Sequence, residues 1–143
     1  MDSGRIEHPT AAQQHVTAGP YSPVLMITPG PIAVISGQAA LDLEGNLIGE
    51  TITDQTHKTI ENCRAQLAHA GCDLDDVFKV NVFLADLNEW SQFNEVYKRY
   101  FTSPMPVRTA IGCALRRSYK VELEMWAAIP QTTLVQGRSQ HLE

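Results

Sequence analysis

The chain has 143 residues, of which 43% are hydrophobic, and its formal net charge is -5 at pH 7. This length and composition suit one domain with a sizeable core, and the acidic balance argues against a nucleic-acid partner. No apolar run approaches the length of a membrane span, and the first residues contain no apolar signal-peptide region. The cysteines Cys63, Cys72 and Cys113 are odd in number and lack CxxC spacing. We therefore expect a cytoplasmic protein with reduced thiols and no membrane association.

The distribution of residue types predicts an arm, a domain and a tail along the chain. Residues 1–18 are polar without a clear period, and we expect them to form an N-terminal arm. Residues 19–130 carry the periodic elements of a single domain, whereas residues 131–143 are polar and aperiodic, which is typical of a flexible tail. His8 and His15 in the arm have no partner at metal-ligand spacing, so no metal site is predicted there.

Tyr21 lies in a turn-rich segment, between Pro20 and Pro23. The two prolines would hold this segment rigidly, since each fixes its own φ angle. Two interpretations of the tyrosine remain open at this point: it packs against the core, or it places its phenol over a pocket.

Two short strands follow, over residues 24–27 and 32–36, and the Thr-Pro-Gly-Pro turn between them predicts a β-hairpin. Gly37 comes directly after Ser36, at the end of the second strand. A glycine at such a position is typical of a bulge or of a close approach between the backbone and a ligand.

Two amphipathic helices are predicted. The first spans residues 53–70, with Thr53 as its N-cap and Gly71 as the left-handed residue that ends it. The second begins near Asn88, a candidate cap, and its apolar stripe contains one polar member, Asn94, which by itself predicts a bond to a nearby backbone group. The first stripe is Ile60, Cys63, Leu67 and Ala70, and the second is Trp90, Phe93, Asn94, Tyr97 and Phe101.

Three further strands are predicted, one between the helices and two after them. The first covers residues 76–84, the second residues 107–114, and the third begins at Val121. In residues 76–84 the alternation predicts Phe78, Val80, Val82 and Leu84 on one face. In the last strand it predicts that Val121, Leu123, Met125 and Ala127 oppose Glu122, Glu124 and Trp126.

Arg108 and Glu122 are charged residues embedded in the last two apolar strands. Burial of a guanidinium or a carboxylate is costly unless the group is paired or used in function. A plain ion pair or a solvated sheet face is the simplest interpretation, because many antiparallel strands have one polar face. The functional interpretation is a guanidinium that binds a substrate carboxylate and a glutamate that moves a proton.

The order of elements, β-β-α-β-α-β-β, predicts an α+β fold. Each helix has one apolar stripe, so both helices are expected to pack on one face of a single mixed sheet, in a two-layer sandwich. The opposite face carries apolar and aromatic residues such as Phe83 and Trp126. We therefore expect this face to be covered by other subunits of a homo-oligomer.

Several segments together resemble the RidA/YjgF family of reactive intermediate deaminases, many of whose members are described as L-PSP endoribonucleases. The segments are GPYSP, VISGQ, AHAGCDLDDVFKVNVFLADL, FNEVYKRYF, PVRTAIG and KVELEMWAA, and they follow the family order and spacing over residues 19–130. The resemblance implies a chorismate-mutase-like fold and a homotrimer with clefts between subunits. It also implies hydrolysis of imines and enamines such as 2-aminoacrylate to 2-oxo acids and ammonia, without a cofactor or metal.

The same resemblance assigns roles to individual residues. Arg108 is expected to hold the substrate carboxylate, and Glu122 is expected to be the catalytic acid/base that positions water. The expected substrate-binding residues are Arg108, Tyr21, Ser36, Gly37 and Asn94. Two departures from RidA affect the expected substrate range: Ala110 stands where RidA has a cysteine, and the turn at residues 115–119 is shorter and lacks a proline.

Two other functions remain open on the sequence. A non-catalytic protein that senses a small carboxylate, such as a 2-oxo acid, would use Arg108 but would have no need of an acid/base at Glu122. An endoribonuclease is disfavoured by the acidic balance and by the absence of a basic stripe with interleaved aromatic residues.

Overall fold

The computed structural model describes residues 4–131, which form an α+β sandwich of two helices on a four-stranded mixed sheet. Strands β4 (Val77–Leu84) and β5 (Val107–Gly112) are parallel, whereas β6 (Val121–Ala128) is antiparallel to both β3 (Ile32–Gln38) and β4, giving the order β3-β6-β4-β5. The predicted fold class is therefore confirmed. The elements are β1 (Ile6–Glu7), β2 (Met26–Ile27), β3 (Ile32–Gln38), α1 (Ile52–Ala68), β4 (Val77–Leu84), α2 (Trp90–Tyr97), β5 (Val107–Gly112) and β6 (Val121–Ala128).

The predicted hairpin between the second and third of these strands is wrong. β2 pairs with β1, and β3 pairs along its length with β6. The buried guanidinium of Arg5 donates to the backbone oxygens of Thr28, Pro31 and Ile129, which ties the start of the chain to the turn and to the end of β6. A side chain from a distant part of the sequence, Arg5, therefore fixes the segment that the turn residues alone had predicted to form a hairpin.

The division into arm, domain and tail stays a prediction, and the tail from residue 132 onward lies outside the described residues.

Both helices begin at caps other than the predicted ones. The side chain of Thr51, rather than Thr53, accepts a hydrogen bond from the Asp54 amide at 3.1 Å and starts α1. A single 3₁₀ turn precedes α2, and the carboxylate of Asp86 caps this turn by accepting from the Asn88 amide, whereas α2 itself begins after Glu89, whose side chain makes no cap hydrogen bond. The left-handed residue after α1 is confirmed, since Gly71 has a φ of 75°.

The core lies between the helices and one face of the sheet. The predicted inward residues of β6 are all fully buried, and Val80, Val82 and Leu84 of β4 face the same core. Phe78 was predicted on this face but is only partly buried, because the pairing of β4 with β6 shifts register between Val77 and Lys79. Such a shift moves one residue out of the alternation. The helical side of the core includes Ile60, Cys63, Leu67, Phe93 and Tyr97.

Within residues 4–131, no helix packs on the other face of the sheet. Phe83 and Trp126 on this uncovered face are partly buried, and Lys79 lies 5.3 Å from the centre of the Trp126 ring. Val34 and Ile111, on β3 and β5, are 57% and 46% exposed in the single chain. None of the helices formed by the described residues is long and apolar enough to cross a membrane.

Candidate functional site

Arg108 lies on β5 and extends its side chain toward α2. Its partner in the sheet is Val80, a fully buried residue of the helix-covered face, and this register directs the guanidinium into that layer. The aromatic residues around the guanidinium carbon are Tyr97 at 4.8 Å, Trp90 at 5.1 Å, Tyr21 at 5.2 Å and Phe93 at 5.9 Å, measured to the ring centres. Aromatic faces attract a cation, and they do so more strongly where water is excluded.

The guanidinium of Arg108 is held by one polar contact. Its Nη1 donates to Oδ1 of Asn94 at 2.8 Å, whereas its Nη2 is buried and has no hydrogen-bond partner in the part of the chain that the structure describes. No carboxylate among residues 4–131 forms an ion pair with it. Burial lowers the pKa of Arg108, yet an arginine keeps its charge in a folded protein. The arrangement is therefore a partly buried cation with unused donor capacity, which is the electrostatic requirement of an anion site.

A pocket of about 370 Å³ lies at the β5 edge of the sheet, and Arg108 is one of its lining residues. Its lining includes Tyr21, Lys79, Arg108 and Gln14. The Tyr21 segment is fixed against β5 because Ser22 pairs with Val107, and the Ser22 hydroxyl donates to the backbone oxygen of Met105. Of the two interpretations of Tyr21, the phenol over a pocket is therefore the one that the geometry favours. Asn94, expected from its position alone to satisfy a backbone group, instead accepts from Arg108.

Glu122 lies on the opposite face of the sheet. It pairs with Phe83 across the ladder and is flanked on β6 by the fully buried Val121 and Leu123, so its side chain points to the uncovered face. A Cβ placed on Gly37 would lie only 2.5 Å from Oε2 of Glu122. Gly37 does not have a left-handed φ, so its lack of a side chain serves this close approach rather than a turn.

Ser36 and Gly37 occupy an irregularity of β3. The register of β3 against β6 shifts between Ile35 and Gln38, which confirms the bulge that the Ser-Gly step predicted. Ser36 lines a separate pocket of about 540 Å³, together with Gln66 and His69 of the α1 region. Within one chain, the structure thus groups Gly37 with Glu122 and leaves Ser36 away from the Arg108 pocket.

The predicted site residues therefore form two groups rather than one. Arg108, Asn94 and Tyr21 meet on the helix-covered side, whereas Glu122 and Gly37 meet on the uncovered side. The strand registers place Arg108 and Glu122 two strands and three residues apart, which corresponds to roughly 14 Å between their backbones. One small substrate in one chain cannot contact both groups, because the sheet itself lies between them.

The aromatic residues of α2 that surround Arg108 were predicted from the sequence only as core residues. Trp90, Phe93 and Tyr97 were predicted as one stripe of the second helix, and Phe93 and Tyr97 are indeed fully buried. Their second role, as the surroundings of Arg108, depends on where β5 lies against α2. Gly19 was also missed: a Cβ placed there would lie 3.1 Å from Nη2 of Arg108. The expectation of no metal or cofactor stays a prediction.

The fold is an α+β sandwich, and its sheet carries a partly buried arginine that has no carboxylate partner among the described residues. The sequence model of the family described as endoribonuclease L-PSP matches residues 11–129, so the chain belongs to this family, which is the RidA/YjgF family. The resemblance stated from the sequence is thereby confirmed.

Similar proteins carry several different names. The Schizosaccharomyces pombe protein named mmf2, mitochondrial, is 39% identical over 77% of this chain and 88% of its own length. The mouse protein named 2-iminobutanoate/2-iminopropanoate deaminase is 37% identical over 74% of this chain and 78% of its own length. The crystal structure of RidA from an Antarctic Psychrobacter is 35% identical, covers 72% of this chain and 85% of that chain, and has a TM-score of 0.66.

Proposed function

We propose that this protein hydrolyses short 2-imino acids and their enamine tautomers to 2-oxo acids and ammonia. The observation that carries the proposal is the partly buried Arg108 guanidinium, which has no carboxylate partner among the described residues and lies beside a pocket of small-molecule size. The names of the mouse and ruminant relatives support the reaction class. The match to an L-PSP family gives an alternative name but does not favour RNA, because the net charge of -5 opposes phosphate binding.

In this proposal, the planar fork of Arg108 binds the substrate carboxylate. Asn94 holds Nη1 at 2.8 Å, which keeps the guanidinium from rotating. Tyr21 lies over the guanidinium carbon and limits the access of water on that side. These contacts bind and orient the imino acid without taking part in the bond changes.

Glu122 supplies the proton transfers. Its carboxylate accepts a proton as the water oxygen bonds to the imine carbon, and the C=N double bond becomes a single bond in a carbinolamine. In the carbinolamine formed from the protonated imine, the same carboxyl group then returns the proton to nitrogen. The C–N bond breaks as the C=O bond forms, and the Glu122 carboxylate accepts the hydroxyl proton and passes it to the departing ammonia, which leaves as ammonium. Water is the only co-reactant, and no redox change occurs.

The separation of the two groups supports a site shared between subunits. Because Arg108 and Glu122 lie on opposite faces of one sheet, a complete site requires Arg108 of one subunit and Glu122 of its partner. The exposed Val34 and Ile111 on the uncovered face are apolar enough to form such an interface. A homotrimer is the closed arrangement that we propose, with one cleft at each contact between subunits.

Subunit mixing tests the shared site. We expect sedimentation equilibrium at micromolar concentration to report three chains. Arg108→Ala and Glu122→Gln subunits, each inactive alone, are refolded together in equal amounts, and random trimers should recover roughly a quarter of the wild-type rate. No recovery, with mixed trimers demonstrated by native mass spectrometry, would place both groups in one subunit and contradict the shared site.

The reaction itself is tested by ammonia release from freshly generated imino acids of several side-chain sizes. Hydrolysis faster than the spontaneous rate supports the proposal. If the protein binds 2-oxobutyrate but hydrolyses none of these imines, the sensing function is correct instead. Incubation with single-stranded RNA under the same conditions tests the ribonuclease function.

A cytoplasmic location stays a prediction, since the relative from Schizosaccharomyces pombe is named mitochondrial.

A further inference from the structure

Gly19 is a glycine whose backbone conformation does not require glycine. Its φ lies outside the left-handed region, unlike those of Gly45, Gly49 and Gly71. An alanine could therefore adopt the same backbone angles without strain. The reason for glycine at this position must lie in the space around its α-carbon.

That space is occupied by the proposed binding group. A Cβ on Gly19 would lie 3.1 Å from Nη2 of Arg108, 3.5 Å from Nδ2 of Asn94 and 3.5 Å from Cε2 of Tyr21. The first of these distances is tighter than nine in ten real Cβ contacts. The α-carbon of Gly19 thus lies close to the Arg108 guanidinium, to the Asn94 amide that accepts from this guanidinium, and to the Tyr21 ring.

We propose that Gly19 is a positioning residue for Arg108, and this inference rests on the proposed function of that arginine. Asn94 fixes Nη1 by a hydrogen bond, whereas the buried Nη2 has no hydrogen-bond partner among the described residues. Nη2 is instead confined sterically, because the segment from Gly19 to Tyr21 closes directly onto it. A guanidinium held at both terminal nitrogens presents one orientation to a carboxylate, which lowers the entropy lost on binding.

The test variant is Gly19→Ala. Its methyl group must displace either the guanidinium or the covering segment by a few tenths of an ångström. Because misplacement of about 1 Å can cost roughly 100-fold in rate, we expect KM for the imino acid and Kd for 2-oxobutyrate to rise about 10-fold. The kcat should change less than about two-fold, since Arg108 binds the carboxylate equally in the ground and transition states.

Gly30→Ala is the matched control. A Cβ at Gly30 would lie 2.7 Å from Cζ of Arg5, so this variant also crowds a buried guanidinium, but one outside the proposed site. We expect it to lower the melting temperature while leaving KM and Kd unchanged. A general loss of stability is thereby separated from a specific effect on Arg108.

A second measurement does not depend on enzyme activity. Phenylglyoxal modifies accessible guanidinium groups, and peptide mass spectrometry reports the rate at each arginine. Arg108 should react more slowly than the exposed Arg99 in the wild type. Gly19→Ala should raise the rate at Arg108 alone, by about 10-fold if Nη2 becomes exposed for most of the time. Gly30→Ala should raise the rate at Arg5 alone.

The Arg108→Lys background adds a direct test of the coupling. Lysine has no Nη2, so Gly19→Ala should change Kd by less than about two-fold in that background. An equal effect in both backgrounds, or unchanged labelling and Kd in Gly19→Ala, would overturn the inference. If the wild type hydrolyses no imine while the labelling pattern is as expected, the proposed function fails and the positioning role of Gly19 stands.

Discussion

The surroundings of Arg108 and of Glu122 differ although both side chains project from strands of the same sheet. Arg108 lies under α2, among aromatic rings, with a hydrogen bond to Asn94. Glu122 lies on the uncovered face, where its carboxylate lies close to the bare backbone of Gly37. The cation is surrounded by aromatic rings of its own chain, whereas the carboxylate lies on the sheet face that faces away from both helices.

This difference indicates how each group is prepared for its proposed role. The guanidinium is pre-oriented by its own chain, so its ability to bind a carboxylate should depend little on assembly. In the proposed trimer, the environment of Glu122 is completed when another subunit covers the uncovered face. Binding and proton transfer should therefore respond differently to substitutions and to dissociation of subunits.

The largest effect is expected for Glu122→Gln. The amide keeps the size of the side chain but cannot carry the proton, so kcat for imine hydrolysis should fall by about 100-fold or more. Binding of 2-oxobutyrate, measured by calorimetry, should stay within about three-fold of the wild type, because Arg108 is untouched. Loss of binding with retained hydrolysis would reverse the two roles.

Glu124→Gln is the control for this variant. Glu124 follows on the same face of β6, and its Oε1 accepts from Nδ2 of Asn81 at 2.9 Å. A glutamine can make the same contact, so kcat should stay near the wild-type value. A fall as large as that of Glu122→Gln would show that the rate depends on the charge of the whole face rather than on one carboxylate.

A smaller effect is expected for Arg108→Lys. The charge is kept, but the fork and the contact with Asn94 are lost. We expect kcat/KM to fall about 10-fold or more, equivalent to at least ~1.4 kcal/mol of transition-state binding. Steady-state ammonia release is the measurement, and Arg99→Lys, at an exposed arginine, is the control. Wild-type activity in Arg108→Lys would remove the arginine from the site.

The smallest of these effects is expected for Gly37→Ala. Its Cβ would overlap the Glu122 carboxylate at 2.5 Å, so the flexible end of the glutamate must move. We expect kcat to fall about five- to ten-fold without a change in the Kd of 2-oxobutyrate, in contrast to Gly19→Ala. Gly112→Ala, which would crowd Leu87 at 2.6 Å, is the control. Equal effects of Gly37→Ala on kcat and Kd would mean that the two regions are not separable.

Local patterns in the sequence predicted the elements well where a stripe or an alternation was strong. The alternation of β6 and the stripes of both helices correspond to buried residues, because apolar periodicity reflects burial on one side. Caps and short strands were less predictable. Thr51 and Thr53 have the same side chain, and only the path of the preceding backbone decides which of them becomes the cap; Thr51 does, by accepting from the Asp54 amide.

The candidate site residues were predictable by resemblance, but their arrangement was not. Glu122 follows a clear alternation, so the sequence alone placed it opposite the apolar side of its strand. β5 reads Val-Arg-Thr-Ala-Ile-Gly, in which apolar residues occur on both sides, so the alternation does not tell which side Arg108 takes. Its orientation follows from pairing with Val80, a contact between residues far apart in the chain.

The sequence by itself determined the two helices, the alternating strands and membership of the RidA/YjgF family, because these depend on local periodicity and on motifs in order. Only the tertiary structure decided that Arg108 and Glu122 occupy opposite faces, that β1 rather than β3 pairs with β2, and that Gly19 contacts the guanidinium. Each of these features depends on strand register or on the packing of distant segments. Register is a property of the paired strands together, so no single segment contains it.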